Sequence, residues 1–179
     1  MTPSHLTYRK ALKSDAREMV DVHFAAVHAI DSVHYSNNVK LAWSPPPDAA
    51  RQEWLSDLIS QESAICTVAV LNHDSIIGFC IALLSQAQIK ALYVHPNHSR
   101  SGVGYALLQC VEARCRAIGL EALELKASYN SEAFYRHSGY KVIGPTTQPL
   151  TNTVSMAATH MVKRFSRVAQ PVSQQDAAR

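Results

Sequence analysis

The chain has 179 residues, 47% hydrophobic and 17% charged, with a net charge of +3. That length suits one domain with a real core, and the mild positive charge suits an anionic ligand, but the lack of a dense Lys/Arg block argues against nucleic acid. The apolar runs are too short to span a membrane, and Met1–Lys10 lacks the apolar core of a secretory leader, so a cytoplasmic setting is expected.

Residues 6–11 alternate and predict a first strand. Ser14-Asp15 offers a helix cap, and Met19, Val20, His23, Phe24, Val27 and Ile30 then recur at helical spacing. A polar-aromatic segment follows over 31–38, then Leu41-Ala42-Trp43-Ser44 and three prolines that exclude regular helix and act as stiff spacers. Asp48 can cap a second helix through Trp54, Leu55, Leu58 and Ile59. Residues 65–71 and 75–84 read as a hairpin around Asn72-His73-Asp74, and 89–94 as the next strand. A helix over 103–118 stops at Gly119, which suits its C-terminal cap. A strand over 122–127, a short helix over 130–137, a strand starting at 140–143 and a last strand over 154–162 complete the order. Gly144-Pro145 and the threonines after them read as a loop, and the chain from about 166 as a polar tail, so the domain is expected over 1–166 and a disordered tail over 167–179. The cysteines, Cys66, Cys80, Cys110 and Cys115, form no Cys-x-x-Cys and read as buried thiols. The histidines are scattered without ligand spacing, and no metal is expected.

The chemistry concentrates in His98-Ser99-Arg100-Ser101-Gly102-Val103-Gly104-Tyr105, between a strand and a helix. A helix start presents unpaired N–H groups and partial positive charge, which together bind phosphate. Gly102 and Gly104 permit a sharp turn and close approach, and Arg100 adds a cationic donor. No Walker loop is present, and Leu107 stands where a dinucleotide fingerprint needs a small residue.

Leu92-Tyr93-Val94-His95-Pro96 followed by Ser99-Arg100-Ser101-Gly102-Val103-Gly104 resembles motif A of the GNAT superfamily of acetyl-CoA-dependent N-acyltransferases. Ser99 departs from the family's Gln or Arg, and the arginine sits one residue later. Asn130-Ser131-Glu132-Ala133-Phe134-Tyr135, ending in Gly139-Tyr140, resembles the family's second signature. The resemblance covers roughly residues 6–164 and is tighter in the second half. It implies an α/β (α+β) fold with a mixed, mostly antiparallel sheet flanked by helices, and acetyl-CoA as cosubstrate.

It also implies roles. Backbone groups of Leu92, Tyr93 and Val94 would hold pantetheine and, near a strand bulge, the thioester carbonyl. Ser99, Arg100, Ser101, Gly102, Val103, Gly104 and Tyr105 would hold the pyrophosphate. Asn130 and Phe134 belong to the same cofactor set, and Tyr135 matches the general acid that protonates the leaving thiolate. No acid lies on the strand before the glycines; Tyr93, His95 or His160 could assist, or no base is needed.

The first helices and the last hairpin would frame the acceptor, with His34, Tyr35 and Trp43 as candidates beside an equal reading as loop anchors. Tyr35-Ser36 with Ala42-Trp43 resembles a bacterial branch of the superfamily. Acidic residues are sparse there, which disfavours a polycation. The resemblance implies a small-molecule or peptide amine as acceptor, without naming which, and a monomer or homodimer. An acyl-CoA binding or sensing module with little turnover is the alternative, favoured by the missing acid and opposed by Tyr135. An unrelated dinucleotide-binding domain is disfavoured by Leu107 and the strand order.

Overall fold

The structure, a computed structural model, describes residues 5–165. The tail expected over 167–179 lies outside them. The chain runs β1 (Leu6–Lys10), α1 (Ala16–His28), α2 (Asn37–Trp43), α3 (Ala49–Ser60), β2 (Ala64–Leu71), β3 (Ser75–Leu83) and β4 (Gln88–Val94). It continues with α4 (Val103–Ala117), β5 (Ala122–Ala127), α5 (Glu132–His137), β6 (Lys141–Pro149) and β7 (Ser155–Arg164). One seven-stranded sheet has the order β1-β2-β3-β4-β5-β7-β6. Every neighbouring pair is antiparallel except β4 and β5.

Each face of the sheet carries a helical layer, because the buried strands are apolar on both sides. On one face α4 and α5 bury Leu107, Leu108, Val111 and Tyr135 against Leu123, Leu125 and Met161. On the other, α1 and α3 bury Met19, Val20, Leu55 and Ile59 against Val68, Phe79 and Ile81. Glu112 of α4 is fully buried and ties that helix to the sheet through Lys163 of β7 at 2.6 Å, with Arg116 at 3.1 Å.

Three expectations change. The Asp15 side chain does not cap α1; its carboxylate accepts from the Leu12 N–H at 2.7 Å and pairs with Arg9 at 2.6 Å, closing a 3-10 turn ahead of the helix. The segment before the prolines contains a helix, α2, whose first turn is closed by Ser36 Oγ accepting from the Val39 N–H. The stretch 144–149 is strand, not loop. β6 is an edge strand, so Pro145 and Pro149 can stand in it without removing a bond that a central strand would need.

The feature that positions the site lies in the middle of the sheet. Ile81 pairs with Ala91 and Ala82 with Ile89, so Lys90 is an extra residue in β4, a bulge. Beside it β4 meets its parallel neighbour at one pair alone, Gln88 with Glu124, among the described residues. Past that point the two strands part, and a cleft opens through the sheet.

Candidate active site

The cleft is a cavity of about 510 Å³. Ile89 to Val94 form one wall, and Leu125, Lys126, Ser128 and Asn130 the other. A central strand that has lost its partner presents main-chain groups to whatever fills the gap, and an extended chain with amide groups can take them. Leu92, Tyr93 and Val94 stand on that edge.

At the mouth, β4 leads through the 3-10 turn Pro96–His98 into α4. Arg100 has φ +61° and Gly102 φ +86°, so two left-handed residues bracket Ser101 just before the first helical turn. Such a turn aims successive N–H groups into one concavity, at the positive end of a 15-residue helix. Gly102 is needed for its backbone angle alone, since an added methyl would meet nothing within 4 Å. Gly104 would carry one at ordinary contact distance, 3.5 Å from Val94 and 3.8 Å from Phe134. Ser99 and Ser101 donate their hydroxyls to the carbonyls of Pro96 and His98, so these side chains brace the turn. The Arg100 side chain is exposed and lines the cavity together with Ser99. Val103 plugs the helix start into the core, while Tyr105 stands exposed on its outer side.

Tyr135 enters the same cavity from α5. Its ring is held edge-on by Phe134 and Tyr140, with centroids 5.1 and 5.6 Å away. Only 7% of the residue is exposed, and its hydroxyl has no hydrogen-bond partner among the described residues. Burial, with Cys80 and Tyr93 close by, pushes its pKa far above the ordinary phenol value, so it stays protonated. A buried phenol that is protonated, unpaired and open to a cleft is chemically able to donate a proton to a group placed there. Asn130 and Ser131 line the cavity at the start of α5.

A second cavity of about 340 Å³ lies on the α1/α3 side. It shares four lining residues with the first: Trp43, Lys90, Ala91 and Tyr93. The partition between them is aromatic. Trp43 Nε1 donates to the Tyr93 hydroxyl at 2.9 Å, and His23 packs edge-on against the Tyr93 ring at 4.3 Å. Burial also raises the Tyr93 pKa, and Trp43 already donates to its oxygen. His23 is pushed down to about 3 by burial beside Arg51, and is neutral at ordinary pH.

The other sequence candidates scatter. His34 lines the first cavity beside Asp31. Tyr35 lines neither; it is 5% exposed, donates to the Ala157 carbonyl at 2.8 Å and accepts from the Tyr129 N–H at 2.9 Å, pinning α2 to β7. His160 sits at 3.2 Å from Glu124 on β5, outside both cavities, and His95 accepts from the Asn97 N–H in the turn. Residues that pattern reading passed over are His23, Arg51, Trp54 and Lys90. Lys90 lies on the strand stretch that carries no acid, and Trp54 stands 61% exposed on α3, but none of the four belongs to a motif or spacing that marks a site.

The seven-stranded, mostly antiparallel sheet flanked by helices and parted beside a bulge matches the fold of the GNAT acetyltransferase class. A family model described as acetyltransferase (GNAT) domain matches residues 44–163. The chain belongs to the GNAT acetyltransferase family, and membership implies acyl transfer from acetyl-CoA.

Solved structures agree on the fold. A GCN5-related N-acetyltransferase from Rhodopseudomonas palustris, also described as a class-II aminotransferase, is 25% identical with TM-score 0.79, over 92% of this chain and 99% of that one. PaiA N-acetyltransferase from Thermoplasma acidophilum, in complex with coenzyme A, is 18% identical with TM-score 0.75, over 90% and 99%. A phosphinothricin acetyltransferase from Sinorhizobium meliloti, in complex with acetyl-CoA, is 18% identical with TM-score 0.68, over 94% of each chain. No curated protein matches the sequence. Among the described residues, no helix is long and apolar enough to cross a membrane and no cluster of His, Cys, Asp or Glu suits a metal.

Proposed function

We propose that the protein transfers the acetyl group of acetyl-CoA directly to a primary amine. The observation that carries this reading is the shared wall: two cavities of opposite character meet at Trp43, Lys90, Ala91 and Tyr93, beside the bulge in β4. A direct transfer needs such a junction, where two substrates can touch with no covalent stop on the protein.

Acetyl-CoA supplies an activated thioester carbonyl. Its extended pantetheine arm fits the parted edge over Leu92, Tyr93 and Val94, and its pyrophosphate fits the turn over Ser99, Arg100, Ser101, Gly102, Val103, Gly104 and Tyr105. Asn130 and Phe134 close that side. Tyr135 gives its hydroxyl proton to the departing sulfur as the carbon–nitrogen bond forms and the carbon–sulfur bond breaks. The proton shed by the amine restores the phenol through water in the cleft, so free thiol and amide leave.

No carboxylate lines the second cavity, and the low pKa of His23 bars it from taking the proton. The amine therefore enters uncharged. His34 lines the first cavity and Trp43 the junction, so both stand within reach of the acceptor. The four thiols are free, which accords with a reducing, cytoplasmic setting.

Replacing Tyr135 by Phe keeps the ring packing and removes the proton. Turnover should fall by about 100-fold or more, the usual worth of a general acid, with coenzyme A affinity unchanged. A variant as fast as the parent would remove Tyr135 from the chemistry. The lack of a proton acceptor in the second cavity favours a second reading, an acyl-CoA-binding module with little turnover. Tight coenzyme A binding with no amine acetylated would decide for it.

A further inference from the structure

The second cavity has a chemical signature of its own. Its body is apolar, from Leu55, Leu58, Phe79 and Leu150, with Trp54 standing exposed at the rim. Its charged lining residues are both cations, Arg51 and Lys90. Arg51 sits half-buried in the first turn of α3 and has no carboxylate within ion-pair distance among the described residues. Its side-chain hydrogen bonds among the described residues all go to neutral acceptors: the Pro45 carbonyl, His23 Nδ1 at 2.9 Å and Ser44 Oγ at 3.2 Å. His28 Nε2 donates to the Ser44 carbonyl at 2.9 Å and braces that scaffold.

Burial lowers the Arg51 pKa, and Asp48 and Asp21, which lie beyond ion-pair distance, offset that only in part. His23 cannot respond, because its Nδ1 is occupied by an arginine donor and the ring is neutral. These bonds hold the guanidinium in a fixed orientation and leave Nε–H and one Nη1–H uncommitted, each able to donate singly to an anion. Lys90, extruded at the bulge and lining both cavities, adds a second positive charge next to the junction. A polyamine or a lysine-rich segment would meet two like charges and no acid.

We propose that the acceptor is a primary amine bearing a carboxylate and an apolar or aromatic body, of the kind an apolar amino acid represents, with Arg51 and Lys90 holding the carboxylate and Trp54 covering the body. This rests on the second cavity being the acceptor site. The apolar wall selects against small polar amines, and the cations select the acid over its decarboxylated counterpart.

The test is equilibrium binding to the full chain saturated with coenzyme A, using acetylated products so that turnover is not required. N-acetylphenylalanine, N-acetylphenethylamine and N-acetylspermidine are titrated by calorimetry. The acid should bind at least about tenfold tighter than the decarboxylated amide, with the spermidine derivative weakest. Arg51→Gln should cut that preference to about threefold or less while coenzyme A affinity holds. Lys90→Gln, at an exposed position, should lower it partially and guards against misfolding of the first variant. Equal affinity for acid and amide, a preference for the polycation, no binding of the acid up to millimolar, or a preference that survives both variants would overturn the inference. The parent amines are then assayed for acetylation. If the acid binds selectively but no amine is acetylated, the ligand class stands and the transfer reading falls. If phenethylamine is acetylated as fast as phenylalanine, transfer stands and this inference falls.

Discussion

The two cavities that meet at Tyr93 are made of different materials. The larger is built from main chain: the parted edge of β4, a turn with two left-handed residues and the start of α4. The smaller is built from side chains on α1, α3 and the β6–β7 hairpin. Main-chain recognition tolerates changes of side chain and suits a cosubstrate common to a whole family. Side-chain recognition changes with each substitution and suits an acceptor particular to one protein. Substitutions at the first cavity should therefore alter coenzyme A handling or the chemical step, and substitutions at the second should alter selectivity alone.

Tyr135→Phe, expected to cost about 100-fold or more in kcat, is the largest test of that division, because Tyr135 enters the cleft as a side chain. Gly102→Ala comes next. The added methyl meets no neighbour within 4 Å, so its cost is the left-handed backbone, about 1–2 kcal/mol. If the native turn is kept only in the bound state, coenzyme A affinity should fall by about tenfold, with acid-over-amide selectivity unchanged by calorimetry. A loss of acceptor selectivity there would break the comparison.

His23 gives a pH signature to the side-chain cavity. Its ordinary value of 6.5 falls to about 3 on folding, so between those values the unfolded chain binds a proton that the folded chain refuses. Its contribution to stability is complete above about pH 6.5 and is lost as pH falls, by up to about 1.4 kcal/mol per unit. Urea unfolding across pH 4 to 7 should show that slope, and His23→Gln, which keeps an acceptor for Arg51, should flatten it. The smallest effect is Trp43→Phe. It keeps an aromatic partition but removes the 2.9 Å bond to Tyr93, worth about 1 kcal/mol. Acceptor KM should rise by about fivefold, with the KM for acetyl-CoA unmoved.

The same division governs what could be read in the sequence. Main-chain sites leave local marks: Gly102 for its positive φ, and Leu92 to Pro96 for the strand that feeds the turn. The order of elements and the sheet class were legible for the same reason. The second cavity left none, since His23, Arg51, Trp54 and Lys90 come from three elements and meet only in the folded chain. Two local misreadings are also physical. The helix α2 carries Ser36 as its cap and stops before Pro45, but its seven residues are too few for a clear periodicity. The β6 extension hides because Gly144-Pro145 reads as a turn until the strand is known to lie at an edge. The parting of β4 from β5 depends on a bulge at Lys90, and a bulge has no fixed residue signature.

Thermal unfolding with acetyl-CoA, coenzyme A and NAD side by side tests the central claim most directly, that the parted sheet takes acetyl-CoA. A ligand at about 100 times its dissociation constant adds roughly 2.7 kcal/mol, and each kcal/mol moves Tm by about 2–4 °C in a chain of this size. Tm should rise by several degrees with acetyl-CoA and with coenzyme A, and not at all with NAD. No shift with either CoA species at millimolar concentration would contradict it, leaving the turn at Gly102 as a turn and the cleft without its ligand.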